Sequence, residues 1–241
     1  MIEKALRYLN SLTIPNIREI NGHTYTDKPL TRVKYNPKAE PLRLTTLGSL
    51  LDYISSGLDD LGSRHLIIHV QSPTHVEVFS ALDNERDRET LVIVDANIPQ
   101  IVFGSYIDHE SFCVALQSKF VDDPETDRAL ILKFAGTVEA GSVAEYGDDG
   151  VSQKAVVKTG IASKDAALVP SPARLMPYRT FLEVPQPASS FIFRMKQDKY
   201  DVIQCALFEA DGGAWKLSAM QLIKEYLSEE LADYPNFTII S

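Results

Sequence analysis

A chain of 241 residues, 44% of them apolar, is long enough to bury a sizeable core without help from metal or disulfide. Its formal net charge of −9 argues against tight non-specific binding to nucleic acid, which draws its affinity from neutralising phosphates with Lys and Arg. No window approaches the ~18 uninterrupted apolar residues of a membrane span, and Met1 to Leu12 lacks the basic head and apolar core of a secretory signal, so a cytoplasmic protein without a membrane partner is expected.

The two cysteines, Cys113 and Cys205, fall in apolar runs and read as reduced core residues. No composition break is long enough to be a linker. The organisation expected is an N-terminal helix and extended arm over 1–45, followed by a single α+β domain over 46–241. Its fold class is α+β, with a mainly antiparallel sheet, amphipathic helices packed on it and the extended N-terminal arm.

In chain order, Ile2, Leu6 and Leu9 stand at helical spacing, and Pro15 follows. From Asn21 to Pro41 the chain is polar and broken by Pro29, Pro37 and Pro41, with Tyr25, Val33 and Tyr35 available for isolated strands. Arms of this kind often pack on a neighbouring subunit. Thr46 suits the N-cap of a helix carrying Leu47, Leu50, Leu51, Ile54 and Leu58, with Gly57 and Gly62 available for its end. His65 to Val70, Val76 to Leu82 and Leu91 to Ala96 read as strands of an antiparallel meander, the last apolar on both faces and so central.

Asp108 suits the cap of a helix with Phe112, Leu116 and Phe120, ended at Asp122-Asp123-Pro124. Thr126 then starts a second helix with Leu130, Phe134 and Val138 on one stripe and Ile131 beside it, making an αα-hairpin. Gly147 to Gly150 reads as a turn and 151–163 as a strand around Val156, Val157 and Ile161.

Five prolines (Pro170, Pro172, Pro177, Pro185, Pro187) exclude a helix and favour extended and turn structure, with Tyr178, Thr180, Leu182 and Val184 on one face of a strand. Phe191, Phe193 and Met195 then alternate with Arg194 and Lys196. Gln197-Asp198-Lys199 is a turn, and Tyr200 to Phe208, apolar on both faces, is the more buried strand of that hairpin. After Gly212-Gly213 a last helix puts Leu217, Ile223, Tyr226, Leu227 and Leu231 inward and Glu225, Glu229 and Glu230 outward.

The search for chemistry is mostly negative. His65 and His69 would lie about 13 Å apart along one strand, too far to share a Zn²⁺ with ligands at ~2 Å, and His75 adds nothing to them. Asp122, Asp123, Glu125 and Asp127 lack the alternating-ligand loop of a calcium site. No G-x-S-x-G or phosphate-loop fingerprint is present, and Cys113 has no electropositive setting. No metal or other cofactor is called for, and an enzyme is the least favoured class.

The remaining feature is electrostatic. Residues 172–200 hold Arg174, Arg179, Arg194, Lys196 and Lys199 against Glu183 and Asp198, a local +3, while 201–241 sum to −5. Interleaved Tyr178, Phe181, Phe191 and Tyr200 either stack bases beside those cations or are core residues alternating with a solvated face. Arg174, Arg179, Arg194, Lys196 and the corner prolines Pro185 and Pro187 are the candidate binding or interface residues, with Arg179, Arg194 and Lys196 expected to be exposed.

From about Leu44 onward the order of elements resembles the YfdQ-like family, uncharacterised proteins of phages and prophages. The resemblance is carried by the LGSLLDYI helix, the V-x-V-F-S-A-L-D run at Val76 to Asp83, the F-x-x-x-L-x-x-x-F helix at Phe112 to Phe120, and Pro177-Tyr178 ahead of the final hairpin and helix. It implies a phage origin, hence a host-cell cytoplasmic location, and a non-metabolic role; it brings no catalytic residues. The leading expectation is a structural or interaction protein that forms a homo-oligomer, a ring or shell being one form. The alternatives are a single-stranded nucleic-acid or nucleotide-binding accessory and a sequestering inhibitor of a host defence component.

Overall fold

In a computed structural model of the protein the described residues are 2–29, 38–84, 86–137, 143–148, 153–159, 163–168, 171–200 and 202–241. Val33, Tyr35, Pro37, Val138, Ile161, Pro170 and the turn tip at 149–150 lie outside them. The chain divides into two units, Met1–Ala39 and Glu40–Ser241.

The first unit holds helix α1 (Ile2–Thr13) and strands β1 (Ile17–Ile20) and β2 (His23–Thr26), which pair antiparallel with Ile20 opposite His23. Asn21 and Gly22 take φ of 55° and 77°, the left-handed pair that a two-residue hairpin turn requires. Tyr25, expected on an isolated strand, is paired in this hairpin instead. An Asn-Gly turn matches the twist of the flanking strands and closes them into a hairpin.

The second unit begins with β3 (Leu42–Leu44) and α2 (Leu47–Ser56). Thr46 caps α2, its hydroxyl accepting from Ser49 N–H, and Gly57 ends it in the left-handed conformation at φ 66°. Leu47, Leu50 and Ile54 are buried, whereas Leu58, beyond the cap, is exposed. Strands β4 (Leu66–Ser72), β5 (His75–Ser80) and β6 (Thr90–Asp95) form the expected antiparallel meander.

Strand β7 (Ile107–Asp108) leads into α3 (His109–Ser118), where the Asp108 carboxylate accepts from Ser111 N–H at 2.8 Å. Helix α4 (Arg128–Thr137) starts on the carbonyl of Asp127 rather than on Thr126, whose hydroxyl turns back to Asp123 O. Its buried stripe is Ile131, Phe134 and Ala135, with Leu130 outside it. Strands β8 (Val143–Asp148), β9 (Gln153–Thr159) and β10 (Ser163–Leu168) follow, so Gly147 and Asp148 belong to a strand. The chain then continues through β11 (Ala173–Leu175), β12 (Ser189–Gln197), β13 (Ile203–Glu209), α5 (Ala214–Glu230) and β14 (Phe237–Ile240). In α5 the buried positions are Ala219, Ile223 and Leu227, and Leu217 is exposed.

The fold is α+β. One sheet runs β14-β4-β5-β6-β3, its outer strands β14 and β3 pairing parallel, a second runs β11-β12-β13-β7 and a third β10-β9-β8. Helices α2 and α5 share one core with the five-stranded sheet, and α3 and α4 share another with the four-stranded sheet. Phe191, Phe193 and Met195 enter the second core from β12, with Phe112 and Phe134 against Phe193 at ring separations of 5.4 and 6.3 Å. Each such ring contributes roughly 1.5–3 kcal/mol by leaving water. Among the described residues no helix is long and apolar enough to cross a membrane.

At the turn end of the meander His75 is held between two carboxylates, Nδ1 at 2.6 Å from Asp95 Oδ1 and Nε2 at 3.0 Å from Glu77 Oε1. Burial opposes its charge, but the hydrogen bonds to Glu77 and Asp95 outweigh burial and raise its pKa above the ordinary 6.5. A raised folded-state pKa makes the stabilisation complete below pH 6.5 and removes it as pH climbs through the folded value. The stability of the native chain relative to His75→Gln is therefore expected to be greatest near pH 6 and to shrink toward pH 9, by about 1 kcal/mol or less because the carboxylates are partly solvated. Chemical denaturation at a series of pH values checks this; a difference that grows with pH contradicts it.

Candidate functional site

The corner after β11 is where the sequence placed its binding residues. Pro177 bridges to Phe120, and backbone bonds from Val121 N–H to Met176 O and from Tyr178 N–H to Lys119 O fasten the entry to the end of α3. Residues 178–188 then run irregularly, with a turn at Leu182 and Glu183, instead of forming the expected strand. The reason is the buried Gln186 side chain. Its Oε1 accepts from the N–H groups of Arg179 and Thr180, and its Nε2 donates to the carbonyls of Phe181 and Val184. One carboxamide thus supplies partners to four backbone groups that a strand would have satisfied with a neighbour. Phe181 and Val184 point into the core beneath the five-stranded sheet, and Leu182 is exposed.

Arg179 is not exposed as expected: 6% of its side chain reaches solvent. One guanidinium nitrogen donates to Glu209 Oε1 at 2.7 Å and the other to Ser189 Oγ, and the group stacks on Trp215 at 3.9 Å and faces Phe191 at 5.5 Å. Burial pulls its pKa down to about 10 while Glu209 and Asp211 pull it up, so it remains charged at neutral pH. Arg179 Nε and Trp215 Nε1 are buried without a protein acceptor. With Glu209 and Asp211 beside a single cation, the cluster carries no excess positive charge to draw an anion. It is a staple between the corner, β12, β13 and the start of α5.

Of the other candidates, Pro187 is buried and Pro185 exposed. Arg174 is exposed on β11, its backbone tied on both sides to Asp127. Arg194 is half-buried, with its guanidinium on its own strand at Phe193 O, and Lys196 lies over the Tyr106 ring at 4.1 Å. Register places Ile192, Arg194 and Lys196 on the face of the sheet opposite Phe191, Phe193 and Met195, beside Phe208, Ala206 and Gln204. Tyr106 meets Phe208 edge to face at 6.1 Å. Arg194 and Lys196 therefore share an aromatic-flanked outer face that Arg179 does not join.

Nucleophile chemistry finds no support at Cys113. His109 Nε2 is 3.6 Å from its sulfur but 2.7 Å from Ala135 O. That nitrogen must carry the proton to satisfy the carbonyl and cannot accept one from the thiol. Burial raises the pKa of Cys113 and pushes that of Cys205 up to about 12, the opposite of an activated thiolate. The turn carboxylates are engaged locally, Asp122 with Arg128 and Asp123 with Glu125 N–H. No group of metal-ligating side chains occurs among the described residues. A cleft of about 200 Å³ beside α3 is lined mainly by apolar side chains such as Ile101, Phe112, Phe120 and Leu207, with Ser111 and Lys119 as its polar members.

In the first unit the sequence aligned Ile2, Leu6 and Leu9 on one face of α1 but did not show the apolar side chains of the hairpin beside them. Ile2, Leu6, Tyr8, Leu9, Ile14, Ile17, Ile20 and Tyr25 are each 53–79% exposed. No described side chain of that unit is buried. The signal that could have found them was the hairpin turn Asn21-Gly22, which brings Ile20 and Tyr25 to the same face beside Arg18 and His23. Comparison of the chain with protein-family models, with curated proteins and with solved structures returns no match.

These placements predict unequal responses to substitution. Gln186→Ala strands the N–H groups of Arg179 and Thr180 and the carbonyl of Val184 and is expected to cost about 2–4 kcal/mol, and Arg179→Ala a similar amount, since it leaves Glu209 unpaired and Trp215 unstacked. Lys196→Ala is expected to stay within about 0.5 kcal/mol. Urea unfolding midpoints check the order; equal effects at positions 179 and 196 contradict the burial argument.

Proposed function

We propose that this is a phage-derived, non-enzymatic structural or interaction protein that assembles with copies of itself in the host cytoplasm, a closed ring or shell being one form such assembly takes. The observation that carries the reading is the first unit, in which eight large apolar side chains are exposed and no described side chain is buried. A unit of that size has too little interior to be stable alone, and a two-stranded hairpin is marginal in water. Burying those side chains against a partner is worth on the order of 10 kcal/mol before the cost of association. The edges of the two larger sheets offer little in competition, being two to four residues long (β7, β3, β11, β14). The resemblance to phage proteins supports the origin.

Light scattering at micromolar concentration is expected to report an oligomer, reduced to a smaller species by Leu6→Asp with Leu9→Asp. A strict monomer across a salt series overturns the reading.

A second reading, a single-stranded nucleic-acid accessory, is favoured by one observation, the outer sheet face that combines Arg194, Lys196, Tyr106 and Phe208. It predicts oligonucleotide affinity that falls steeply with salt and with Arg194→Ala and Lys196→Ala. Absence of binding at low salt removes it.

A further inference from the structure

The two units differ in charge as much as in burial. Residues 1–39 carry seven Lys/Arg against three Asp/Glu, a net +4, so residues 40–241, with seventeen against thirty, carry −13. The overall −9 hides this division. We infer that the N-terminal unit is a basic docking clip that binds the acidic 40–241 body of a second copy, head to tail. The inference rests on the self-assembly reading and names its contact.

Three observations select an acidic protein body as the occupant, and isotope mixing separates a second copy's body from the chain's own. First, the clip is apolar enough to need a protein surface. Ile2, Leu6 and Leu9 stand one turn apart along α1, and Ile20 and Tyr25 stand together on one hairpin face, all exposed. A phosphate backbone would leave these side chains in water. Second, the positive charge is in the wrong place for an anionic lipid surface. An interfacial helix concentrates Lys and Arg on its polar face, whereas α1 holds only Lys4 and Arg7, and Arg7 is paired with Glu3 at 2.8 Å. The rest of the charge lies on the hairpin and beyond it, as at Arg18 and Lys28. Third, two clips repel each other, +4 facing +4, which disfavours a symmetric clip-to-clip dimer, while the −13 body attracts either clip.

The body also carries acid where its own helix gains nothing from it. Glu229 and Glu230 fall in the last turn of α5, which has no basic residue, so they add to the negative end of the helix dipole and cost stability in the isolated chain. An approaching cationic partner relieves that cost. A contact of clip to body is heterologous, and such contacts generate rings when the rotation closes and filaments when it does not.

The test mixes ¹⁵N-labelled and unlabelled full-length protein, joins amines to carboxylates with a zero-length carbodiimide, and reads the bridges by mass spectrometry. Mixed-isotope bridges from Lys4 or Lys38 to Asp or Glu within 40–241 are expected. A companion variant, Lys4→Glu with Arg18→Glu, brings the clip to neutrality and is expected to raise the concentration needed for assembly about tenfold, with near-UV circular dichroism showing the body unchanged. If the protein is oligomeric but its mixed-isotope bridges run clip to clip or body to body, or if clip-to-body bridges are all of one isotope, the clip is wrong and self-assembly stands. A monomer overturns both.

Discussion

The second unit depends on a single buried carboxamide. Gln186 closes the corner after β11 by serving four backbone groups at once, and only with those groups satisfied can Phe181 and Val184 enter an apolar interior. The corner is where the two cores of this unit are joined. Phe181 and Val184 belong to the core of the five-stranded sheet, and Ala173, Leu175 and Phe191 on either side of the corner belong to the core of the four-stranded one. Thr180, fully buried, donates from Oγ1 to Pro73 O at 2.5 Å in the turn between β4 and β5, and Glu183 accepts from Gly48 N–H at the start of α2. Arg179 completes the joint by bridging Ser189 on β12 and Glu209 on β13 while stacking on Trp215. Cationic and aromatic residues that read in sequence as a binding strip are here part of what keeps two layers in register.

The local signals in the sequence were legible wherever the physics was local. Thr46 and Asp108 cap helices because their side chains reach N–H groups three residues on, and Phe191, Phe193 and Met195 alternate because a pleated strand allows nothing else. The failures share a different cause. Strands β3 and β14, three and four residues long, pair in parallel with partners far away in the chain, and no short-range pattern announces such a pairing. Helical spacing puts Leu217 and Leu130 inward, yet both are exposed while Ala219 and Ile131 are buried, since the neighbouring layer selects the face of a helix. At the corner, a period-two reading of Tyr178 to Val184 met a side chain that competes with the ladder for the same backbone groups. That competition also explains Arg179, whose guanidinium was legible as a cation but not as a buried one.

The same distinction governs how the candidate chemistry is read. His109 and Cys113 are four apart on α3 and so share a face, the spacing that a thiol–imidazole pair would need. What decides against the pair is a third group, the carbonyl of Ala135 on the facing helix, which claims the only imidazole nitrogen near the sulfur. Likewise His75 is set between Glu77 and Asp95 by strand register, with His75 directly opposite Asp95. The result is a ring anchored through both nitrogens at the end of a sheet, with neither nitrogen free for proton transfer.

In the proposed assembly, the division of charge between the units does more than attract. A clip with exposed isoleucines and leucines is an aggregation hazard unless copies of it are kept apart, and a net +4 on every clip supplies that separation. The body's −13 keeps bodies apart by the same rule, leaving clip-to-body approach as the one encounter that long-range electrostatics favours. Such steering acts over about 8–10 Å at physiological salt, so it sets which surfaces meet and how fast. The apolar side chains then decide how long they stay. Under that proposal, the body, whose two cores are locked by Gln186 and Arg179, is complete in one chain, and the clip's apolar side chains are what a second copy would bury.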